Sequence, residues 1–469
     1  MAITNLGAAS SLDTILKEFY SGPIRDQLNN EMLVFELFNR KKMNWVGRRV
    51  IMPVRVARNA SGAYAADNGT LPDPSEQKYA DLNITAKYLY GRMSITGPAI
   101  AQAKASVGAF VNGLQQELDG AVETVKNAAD QACFTGGGAI GFITEKKNVA
   151  GFQFSGNLEL LPTAGIAPHN TQGIRCAIVR NDTYALIHQG ALGDLFVRQH
   201  PTDAGSVQFV DNNAPTPNAN AVDLTGLAGG AAATLVILNK TNAVAPATVF
   251  PTSVEALGIY GNLGAGYSVL NGAGVYQNPT HFGVDRTTAT GTNAVLQATI
   301  RSVNEQAAPA ATAGDRAALD TKRMQSILDD IADASGGSPN CMVAHYIFRQ
   351  EYTALMSFTS EAGGVGITTS RSKNVDGGDP GFNTNALSFN GIALKVARHC
   401  GKGLLIFLDL NSWTCAEVEA PGLADLDGSV LSRLQNADAY EAFVRYYYNT
   451  VCTAPNRNGI LTGISYAGV

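Results

Sequence analysis

Three glycines spaced as in a dinucleotide-binding turn are the first residues that could support chemistry. Gly136, Gly138 and Gly141 match the pattern G-x-G-x-x-G. In a dinucleotide site this turn follows a strand and opens a helix, so that the pyrophosphate meets the positive N-terminal end of the helix. Here the glycines follow a predicted helix over residues 104–132 and meet its C-terminal end. The sequence therefore predicts a turn that stops a helix and no nucleotide site.

Cysteine and histidine residues offer a second candidate. His399 and Cys400, together with Cys415, could contribute ligands to a zinc site. Zinc ligands usually come in closely spaced pairs, and no CxxC or HxxxH pair completes this one. A nucleophilic cysteine–histidine pair would need proximity in the fold, on which sequence spacing is silent. We interpret these residues as parts of the core or of turns, and all six cysteines as reduced core thiols.

Acidic residues give the last candidates. Asp425-x-Asp427-Gly428 is similar to the start of a calcium loop but lacks the later acidic ligand, so we interpret it as a surface turn. Asp329-Asp330 lies on a predicted helix whose opposite face is apolar, which indicates a solvated pair. The patterns HExxH, GxxxxGK[ST] and GxSxG do not occur. We predict no catalytic, cofactor-binding or metal-binding residues, no cofactor and no enzyme activity.

Composition excludes several classes of protein. A chain of 469 residues is too long for one hydrophobic core. Charged residues make up 16%, against about 25% in an average domain, as expected if much of the exterior is buried against other copies. The net charge of −5 gives no basic excess for a sequence-reading nucleic-acid binder. No run of about 18 uncharged apolar residues could span a membrane.

The N-terminal part consists of elements that need a partner. Residues 1–44 predict an arm of two short amphipathic helices, one capped by Ser11 and one that carries Phe35 and Phe38. Their narrow apolar stripes must be buried against the parent domain or against a neighbouring subunit, and both alternatives remain open.

Residues 45–97 predict one long β-hairpin. The outgoing strand alternates through Val46–Val56, the return strand runs over Leu82–Thr96, and polar residues lie between them. A dozen residues per strand give an arm of about 40 Å. Because isolated two-stranded hairpins are marginal in water, this arm should lie on a partner surface.

The middle of the chain divides into a helix and a β-rich stretch. Residues 98–150 contain the helix over 104–132, about 43 Å long. Residues 151–310 predict a β-rich inserted region in which charge is sparse. Its short strand-like runs are Cys176–Val179, Thr234–Leu238 and Ala294–Ile300.

The last third predicts a mixed α/β unit and a long final strand. Residues 431–469 contain Tyr440–Cys452, a strand with aromatic side chains on both faces that needs cover on two sides, and a closing strand over Ile460–Ile464. Residues 311–430 predict, in order, a helix over Leu319–Ala334, a strand over Cys341–Ala344, a helix over Phe348–Met356, and strands over Ile392–Val396 and Leu404–Leu408. The fold class is α+β.

This order of elements resembles the major capsid protein of tailed bacteriophages, which has the Hong Kong 97-type fold. The resemblance covers about half of the chain, at both ends. Local matches are Leu12–Tyr20, Val46–Arg48 with Pro53–Asn59, Gly108–Val111 with Glu117–Gly120, Asn390–Leu394, and Asp438–Ala442.

The resemblance implies a structural role in a virion. The chain would self-assemble into hexamers and pentamers of an icosahedral shell that encloses double-stranded DNA and contacts it only non-specifically. It implies these parts: an N-terminal arm (1–44) that braces the next subunit, an extended loop (45–97) that crosses the adjacent subunit, a peripheral domain with a spine helix (98–150) and return strands (431–469), an inserted region (151–310) and an axial domain (311–430).

The same resemblance implies partners and maturation chemistry. The chain begins its arm at once, so we expect a separate scaffolding protein, and also a portal and a cement or decoration protein. Assembly would take place in the host cytoplasm, with no membrane partner. Some members crosslink a loop lysine to an asparagine of a neighbour; Lys78 and Lys87 are the candidate lysines here, and Asn436 is a candidate acceptor.

Two alternatives remain. An encapsulin-type nanocompartment shares the fold but encloses enzymes, and such shells tend to be built from shorter chains. A tail or adhesin component would suit the Gly/Asn/Thr-rich strands, but not the long amphipathic helix or the single large hairpin.

Overall fold

The computed structural model describes most of the predicted elements. The described residues are 33–97 with short gaps, 107–136, seven strands between 139 and 239, 258–263, 280–286, 295–303, 318–361, 387–423 and 432–464, the last two with short gaps. The predicted helix around Ser11 and the Asp425–Asp427 turn lie outside these residues.

Five helices and 22 strands follow one another along the described residues. The helices are α1 (Leu33–Leu37), α2 (Val107–Thr135), α3 (Ile259–Leu263), α4 (Thr321–Ser335) and α5 (Tyr346–Glu361). The first strands are β1 (Asn39–Lys42), β2 (Arg49–Ala57), β3 (Lys78–Thr85), β4 (Lys87–Thr96), β5 (Ala139–Lys146), β6 (Phe152–Gly156), β7 (Ile174–Arg180), β8 (Leu186–His188), β9 (Leu195–Gln199), β10 (Ser206–Asp211) and β11 (Leu235–Asn239). The remaining strands are β12 (Thr280–His281), β13 (Val284–Asp285), β14 (Thr299–Ser302), β15 (Cys341–Ala344), β16 (Ser388–Phe389), β17 (Ile392–Val396), β18 (Leu405–Leu408), β19 (Trp413–Leu423), β20 (Ser432–Arg433), β21 (Ala439–Cys452) and β22 (Gly459–Thr462).

The long strand β21 is the centre of a five-stranded sheet, here called the outer sheet. β19 and β20 pair with one edge of β21, β4 pairs with the other edge, and β1 adds in parallel to β19. One face of β21 is buried through Ala442, Val444, Tyr446 and Tyr448, and the last three join a core that includes α2 and α1. The predicted strand is confirmed. Its second face is half-buried from Glu441 to Tyr447 and buried at Asn449 and Val451.

A six-stranded sheet, here called the inner sheet, has the order β14-β22-β18-β15-β17-β16. β15 and β18 are buried at every residue because the sheet is covered on both faces. Alternate residues contribute to two cores: Val343 and Ile406 face the core shared with the outer sheet, whereas Met342 and Phe407 face α4 and α5. The predicted helices and strands of this region are confirmed.

The inner sheet also takes in residues that the sequence assigned elsewhere. β22 pairs with β18 and β14, although the sequence grouped it with the return strands of the outer sheet. β14 lies in the stretch predicted as the inserted region, and the strand predicted over Ala294–Ile300 begins only at Thr299. The physical reason is that Leu296 packs in the cluster under the large hairpin. Tertiary packing there overrides the strand propensity of the residues before Thr299.

The long helix α2 confirms the predicted helix with both ends three residues later. Gly136 ends it: this residue has φ +94°, and its N–H donates to the carbonyl of Ala132 at 2.9 Å. Gly141 lies in β5. The glycine pattern therefore stands at the C-terminal end of a helix, as predicted.

The β-rich stretch forms a seven-stranded sheet with the order β11-β5-β6-β10-β9-β7-β8. This sheet begins at Ala139, twelve residues before the predicted boundary. The chain returns to the body at Gly258, where an added Cβ would lie 2.5 Å from the carbonyl oxygen of Phe134 and 2.6 Å from the nitrogen of Gly136. The chain therefore leaves the body and returns to it at nearly the same place.

Asn458 joins the two sheets where two strands cross between them. β18 continues into β19 through a tight turn, and β21 continues into β22 through another. The buried Asn458 Oδ1 accepts from the amide of Asp409 at 2.8 Å and from the indole Nε1 of Trp413 at 2.9 Å. Its Nδ2 donates to the carbonyl of Ala454 at 2.9 Å and to Ser412 Oγ at 3.2 Å. One amide thus satisfies polar groups of both crossovers.

Asn262 makes an equivalent connection from α3 to β21. Its Nδ2 donates to the carbonyl of Thr450 at 3.0 Å, and its Oδ1 accepts from the amide of Cys452 at 3.0 Å. The carbonyl of Asn262 accepts from the buried guanidinium of Arg286 at 2.7 Å. A buried polar network of this kind fixes α3 against one stretch of strand.

We expect Asn458→Ala to lower the free energy of unfolding by about 2–5 kcal/mol, because it leaves two buried donors, the Asp409 amide and the Trp413 indole, without an acceptor. Urea unfolding followed by circular dichroism measures the change. Asn340→Ala is the matched control, since this exposed amide accepts a single hydrogen bond, from the Leu410 amide, and should cost less than 1 kcal/mol.

A double-mutant cycle tests the cause. In a Trp413→Phe background the indole donor is absent, so Asn458→Ala should cost less than in the parent protein. Equal costs in the two backgrounds would contradict this account of the crossover.

Candidate assembly surfaces

The predicted hairpin exists, but its return strand is two strands. β2 and β3 pair from Arg49 opposite Thr85 to Ala57 opposite Lys78. After Ala86 the chain leaves the hairpin, and β4 pairs with β21 over its whole length. The single strand predicted over Leu82–Thr96 is therefore wrong, because the edge of a distant strand takes the second half. The hairpin ladder is about 30 Å long.

The inner face of the hairpin packs on its own chain. Val56, Leu82 and Ile84 are buried in a cluster with Leu296 and Val451. The sequence predicted a partner surface for the hairpin, and it missed this internal support. The signal is the alternation of β3, whose apolar side chains point to one face.

A small hairpin, β12–β13, holds the large one at its base. Its turn has positive φ at Phe282 and Gly283, as a two-residue turn requires. The Phe282 carbonyl accepts from the amide of Asn83 at 2.9 Å. From the other side Asn449 Nδ2 donates to the carbonyl of Thr85 at 2.8 Å. The base of β3 is thus held by one backbone carbonyl and one side-chain amide from outside its own ladder.

His281 in this small hairpin is fully buried and neutral. Its Nε2 lies 2.9 Å from the carbonyl of Cys452, so Nε2 carries the proton and donates. Its Nδ1 has no hydrogen-bond partner among the described residues. Burial, and then the positive charge of Arg286, lower the pKa of His281 from 6.5 to about 3.

The far end of the large hairpin and its outer face are exposed. Ile51 and Tyr79 remain 53% and 62% accessible on the outer face, and Tyr64 in the connecting loop is fully exposed. The neck of this loop is held by Asn59, whose Oδ1 accepts from the Ser75 hydroxyl at 2.7 Å. A monomer gains nothing from such apolar exposure, so this surface is a candidate contact with another protein.

A second exposed surface lies on the outer sheet, on the face opposite α2. Tyr88 and Tyr90 are 62% and 55% accessible and both contact Tyr447 edge to face, with ring centroids 5.0 and 5.8 Å apart. A hydrogen bond to Tyr447, with partial burial, raises the pKa of Tyr90 to about 12. Arg445 pairs with Glu419 at 2.6 Å beside these rings. Aromatic rings edged by paired charges are typical of interface centres.

The proposed core histidine and cysteines lie inside the protein. His399 Nε2 is 3.9 Å from Asp130 Oδ2, and Cys415 Sγ is 3.3 Å from the Tyr446 hydroxyl. Burial raises the pKa of both Cys400 and Cys415 to about 12, so both remain thiols at neutral pH. All six cysteines are buried and free. Within the described part of the chain, no three His, Cys, Asp or Glu side chains could hold a metal ion.

The other predicted residues are spread over the surface. Asp329 accepts from Gln325, and Asp330 pairs with Arg301 at 2.8 Å, in agreement with a solvated pair. Lys78 begins β3 and Lys87 begins β4, while Asn436 lies outside the described residues. No helix in the described residues is long and apolar enough to cross a membrane.

Asp130 is a structural residue that sequence reasoning missed. This buried carboxylate on α2 accepts from the amides of Val34 and Phe35 at 3.1 and 2.9 Å, and so caps the short helix α1. Phe38 stacks on Trp413 with ring centroids 4.9 Å apart. Residues 33–38 of the predicted arm therefore pack on their own chain. The signal in the sequence was an acidic residue, Asp130, among the apolar residues of a predicted amphipathic helix.

No family model and no curated protein matches the sequence. Solved structures match over nearly the whole chain. The capsid asymmetric unit of cyanophage A-1(L) matches with a TM-score of 0.51 and 11% identity, covering 95% of this chain and 96% of that chain. Mycobacterium phage Bobi matches with a TM-score of 0.42 and 10% identity, covering 97% and 98%. The capsid of a native GTA particle matches with a TM-score of 0.44 and 9% identity, covering 98% and 100%.

The likeness to the cyanophage chain shows the fold. This chain has the fold of a phage capsid protein, a mixed α/β architecture. That is the class that the order of elements in the sequence resembles, and the match extends through the stretch that the sequence resemblance did not cover.

We expect the stability of the folded chain to fall as the pH drops from 6.5 to about 3, in part because of His281. The unfolded chain binds this proton below pH 6.5 and the folded chain does not, so the unfolded state binds more protons in this window. The contribution is roughly 1.4 kcal/mol per pH unit. His281→Gln should remove it, and urea midpoints from pH 7.5 to 4 measure it.

Above pH 7 the difference between the two proteins should be constant, which serves as the internal control. An unchanged slope below pH 6.5 in His281→Gln would show that the acid sensitivity comes from other groups.

Proposed function

We propose that this chain is a major capsid protein, a structural subunit that self-assembles into a closed shell. The observation that carries the proposal is the fold match to a phage capsid chain over 95% of this chain and 96% of that one. The subunits form hexamers and pentamers of an icosahedral shell in the virion, and the shell encloses double-stranded DNA. The protein is not an enzyme and uses no cofactor.

Two exposed surfaces support self-association as the function. The outer face of the hairpin carries Ile51 and Tyr79, and the outer sheet carries the tyrosines around Tyr447. We propose that the hairpin extends across the adjacent subunit of the same capsomer. Neither surface is covered by the described part of this chain, and each offers apolar area beside charged groups.

The remaining parts follow the expected division of labour. We propose that the outer sheet with α2 meets neighbouring capsomers as the peripheral domain, and that the inner sheet faces the capsomer centre as the axial domain. A separate scaffolding protein, a portal and a cement protein are the proposed further partners. DNA is held without sequence recognition, in keeping with the net charge of −5.

Negative-stain electron microscopy of the purified protein tests the function. We expect closed shells with five-fold vertices, filled with DNA when they are taken from natural particles. Shells that contain protein cargo and no DNA would favour a nanocompartment instead. Rods, small fixed rings or dispersed monomers would contradict the shell function.

The double variant Ile51→Lys/Tyr79→Ser should fold normally and fail to form shells, because both side chains are exposed in the single chain and the proposed contact between subunits would bury them. Circular dichroism melting should be within a few degrees of the parent, and light scattering should show no particles. Asp333→Ala, at an exposed position of α4, is a surface control that should leave assembly unchanged. Normal shells from the double variant would show that the outer face is not an interface.

A further inference from the structure

The short strand β1 is an open edge of the outer sheet. It pairs in parallel with β19, from Asn39 opposite Thr414 to Lys42 opposite Glu417. All four of its residues are exposed, and none of the described strands pairs with its other edge. A sheet edge of this kind presents unpaired N–H and C=O groups to which a further strand can add.

The pairing with β19 shows which backbone groups of β1 face outward. The N–H of Met43 donates to the carbonyl of Glu417 at 3.2 Å, so the backbone of Met43 faces β19. Backbone groups of a strand alternate between its two edges, so those of Lys41 also face β19, and those of Arg40 and Lys42 face away. The outer edge therefore offers the N–H and the C=O of two residues.

This edge is held in place at both ends. Phe38, directly before β1, is buried and stacks on Trp413, the first residue of β19, with ring centroids 4.9 Å apart. Trp45, shortly after β1, donates from its indole Nε1 to the carbonyl of Glu417 at 3.2 Å. Because β1 is already fixed, a partner strand would not have to order it on binding, and this lowers the entropic cost of association.

The side chains of β1 are cationic on both faces of the sheet. The guanidinium of Arg40 lies 5.2 Å from the centre of the Phe35 ring, which belongs to the core shared with α2. Alternation places Lys42 on that same face and Lys41 on the opposite face. Within the part of the chain that the structure describes, none of the three cations makes an ion pair. The edge therefore attracts negative charge from above and from below the sheet.

An extended acidic segment fits this edge better than a nucleic acid. A strand that pairs along β1 sends its own alternate side chains to both faces, so its carboxylates would lie opposite the cations on each face. A DNA duplex is a stiff rod and would reach the cations on one face only. It would also leave the outward backbone groups of Arg40 and Lys42 without a strand partner.

A second copy of this chain does not fit the edge. Two β1 strands placed side by side would bring like charges together, which is destabilising. The chain also has no run of three acidic residues: its one adjacent acidic pair is Asp329-Asp330, and this pair lies on the helix α4. The complementary segment therefore belongs to a different protein.

We propose that β1 is a docking edge for an extended acidic segment of another protein, which adds to the outer sheet as a further strand beside β1. Main-chain hydrogen bonds to Arg40 and Lys42 supply affinity, and the three cations select for carboxylates. This inference goes beyond the shell function and does not rest on it.

Peptide binding to the full-length chain tests the docking edge. The probe is a fluorescein-labelled peptide, Val-Thr-Glu-Glu-Glu-Glu-Thr-Val, followed by fluorescence anisotropy at low salt. We expect it to bind with a Kd below about 1 mM, and more weakly as salt is added. The same peptide with every glutamate N-methylated keeps its charge but cannot donate in a ladder, so it should bind at least about tenfold more weakly.

Two variants of one residue separate backbone pairing from charge. Lys42→Ala and Lys42→Pro both remove the cation, but only the proline also removes the outward N–H, which the β1–β19 ladder does not use. Lys42→Pro should therefore bind the peptide at least about fivefold more weakly than Lys42→Ala. Circular dichroism melting of both variants checks that they fold as the parent does.

Charge reversal tests the role of the cations. Lys41→Glu/Lys42→Glu should bind the peptide at least about tenfold more weakly than the parent, because like charges now meet. Lys322→Glu/Lys395→Glu reverses the same number of exposed cations elsewhere and should bind as the parent does.

Several results would overturn the docking edge. They are no binding of the acidic peptide, equal binding of the N-methylated peptide, equal binding by Lys42→Pro and Lys42→Ala, and equal losses in the two charge-reversed variants. A short DNA duplex that binds the parent but not Lys41→Glu/Lys42→Glu, while the peptide does not bind, would assign the edge to a polyanion and also overturn the inference. Electron microscopy tests the shell function separately, so either proposal can fail without the other.

Discussion

One buried amide holds the arrangement together. The chain crosses between the inner and outer sheets twice at the same place, from β18 to β19 and from β21 to β22. Backbone groups in both turns would be unpaired there without Asn458. Each buried donor that is left without an acceptor destabilises the fold by about 1–3 kcal/mol, so this position tolerates little but asparagine. The relative orientation of the two sheets, and with it the core that they share, depends on this residue.

The large hairpin likewise depends on contacts outside its own two strands. An isolated two-stranded hairpin is only marginally stable in water, but here the inner face packs on Leu296 and Val451, and a second small hairpin holds the base. Rigid attachment at one end leaves the other end free to reach outward.

Local patterns sufficed for much of the fold and failed where partners were distant. Strand β15 could be predicted to the residue from its continuous apolar run, and the apolar stripe Met324–Ile331 of α4 from its helical period. The break at Ala86 could not, because the two halves of the return strand look alike and differ only in the strand that pairs with each. Asp130 and His281 were missed for a related reason: a lone polar residue shows its role only through the groups that surround it.

The contact between Gly258 and the end of α2 has a consequence for how this chain can change. The segment that forms the seven-stranded sheet leaves the body after Gly136 and returns at Gly258, and the backbones of these two points are in contact. A domain attached in this way can be lengthened, replaced by foreign sequence or deleted with a short linker while the shared core stays intact. This contact point is thus a suitable place for grafting a foreign segment, and a place where relatives of one architecture can differ in size.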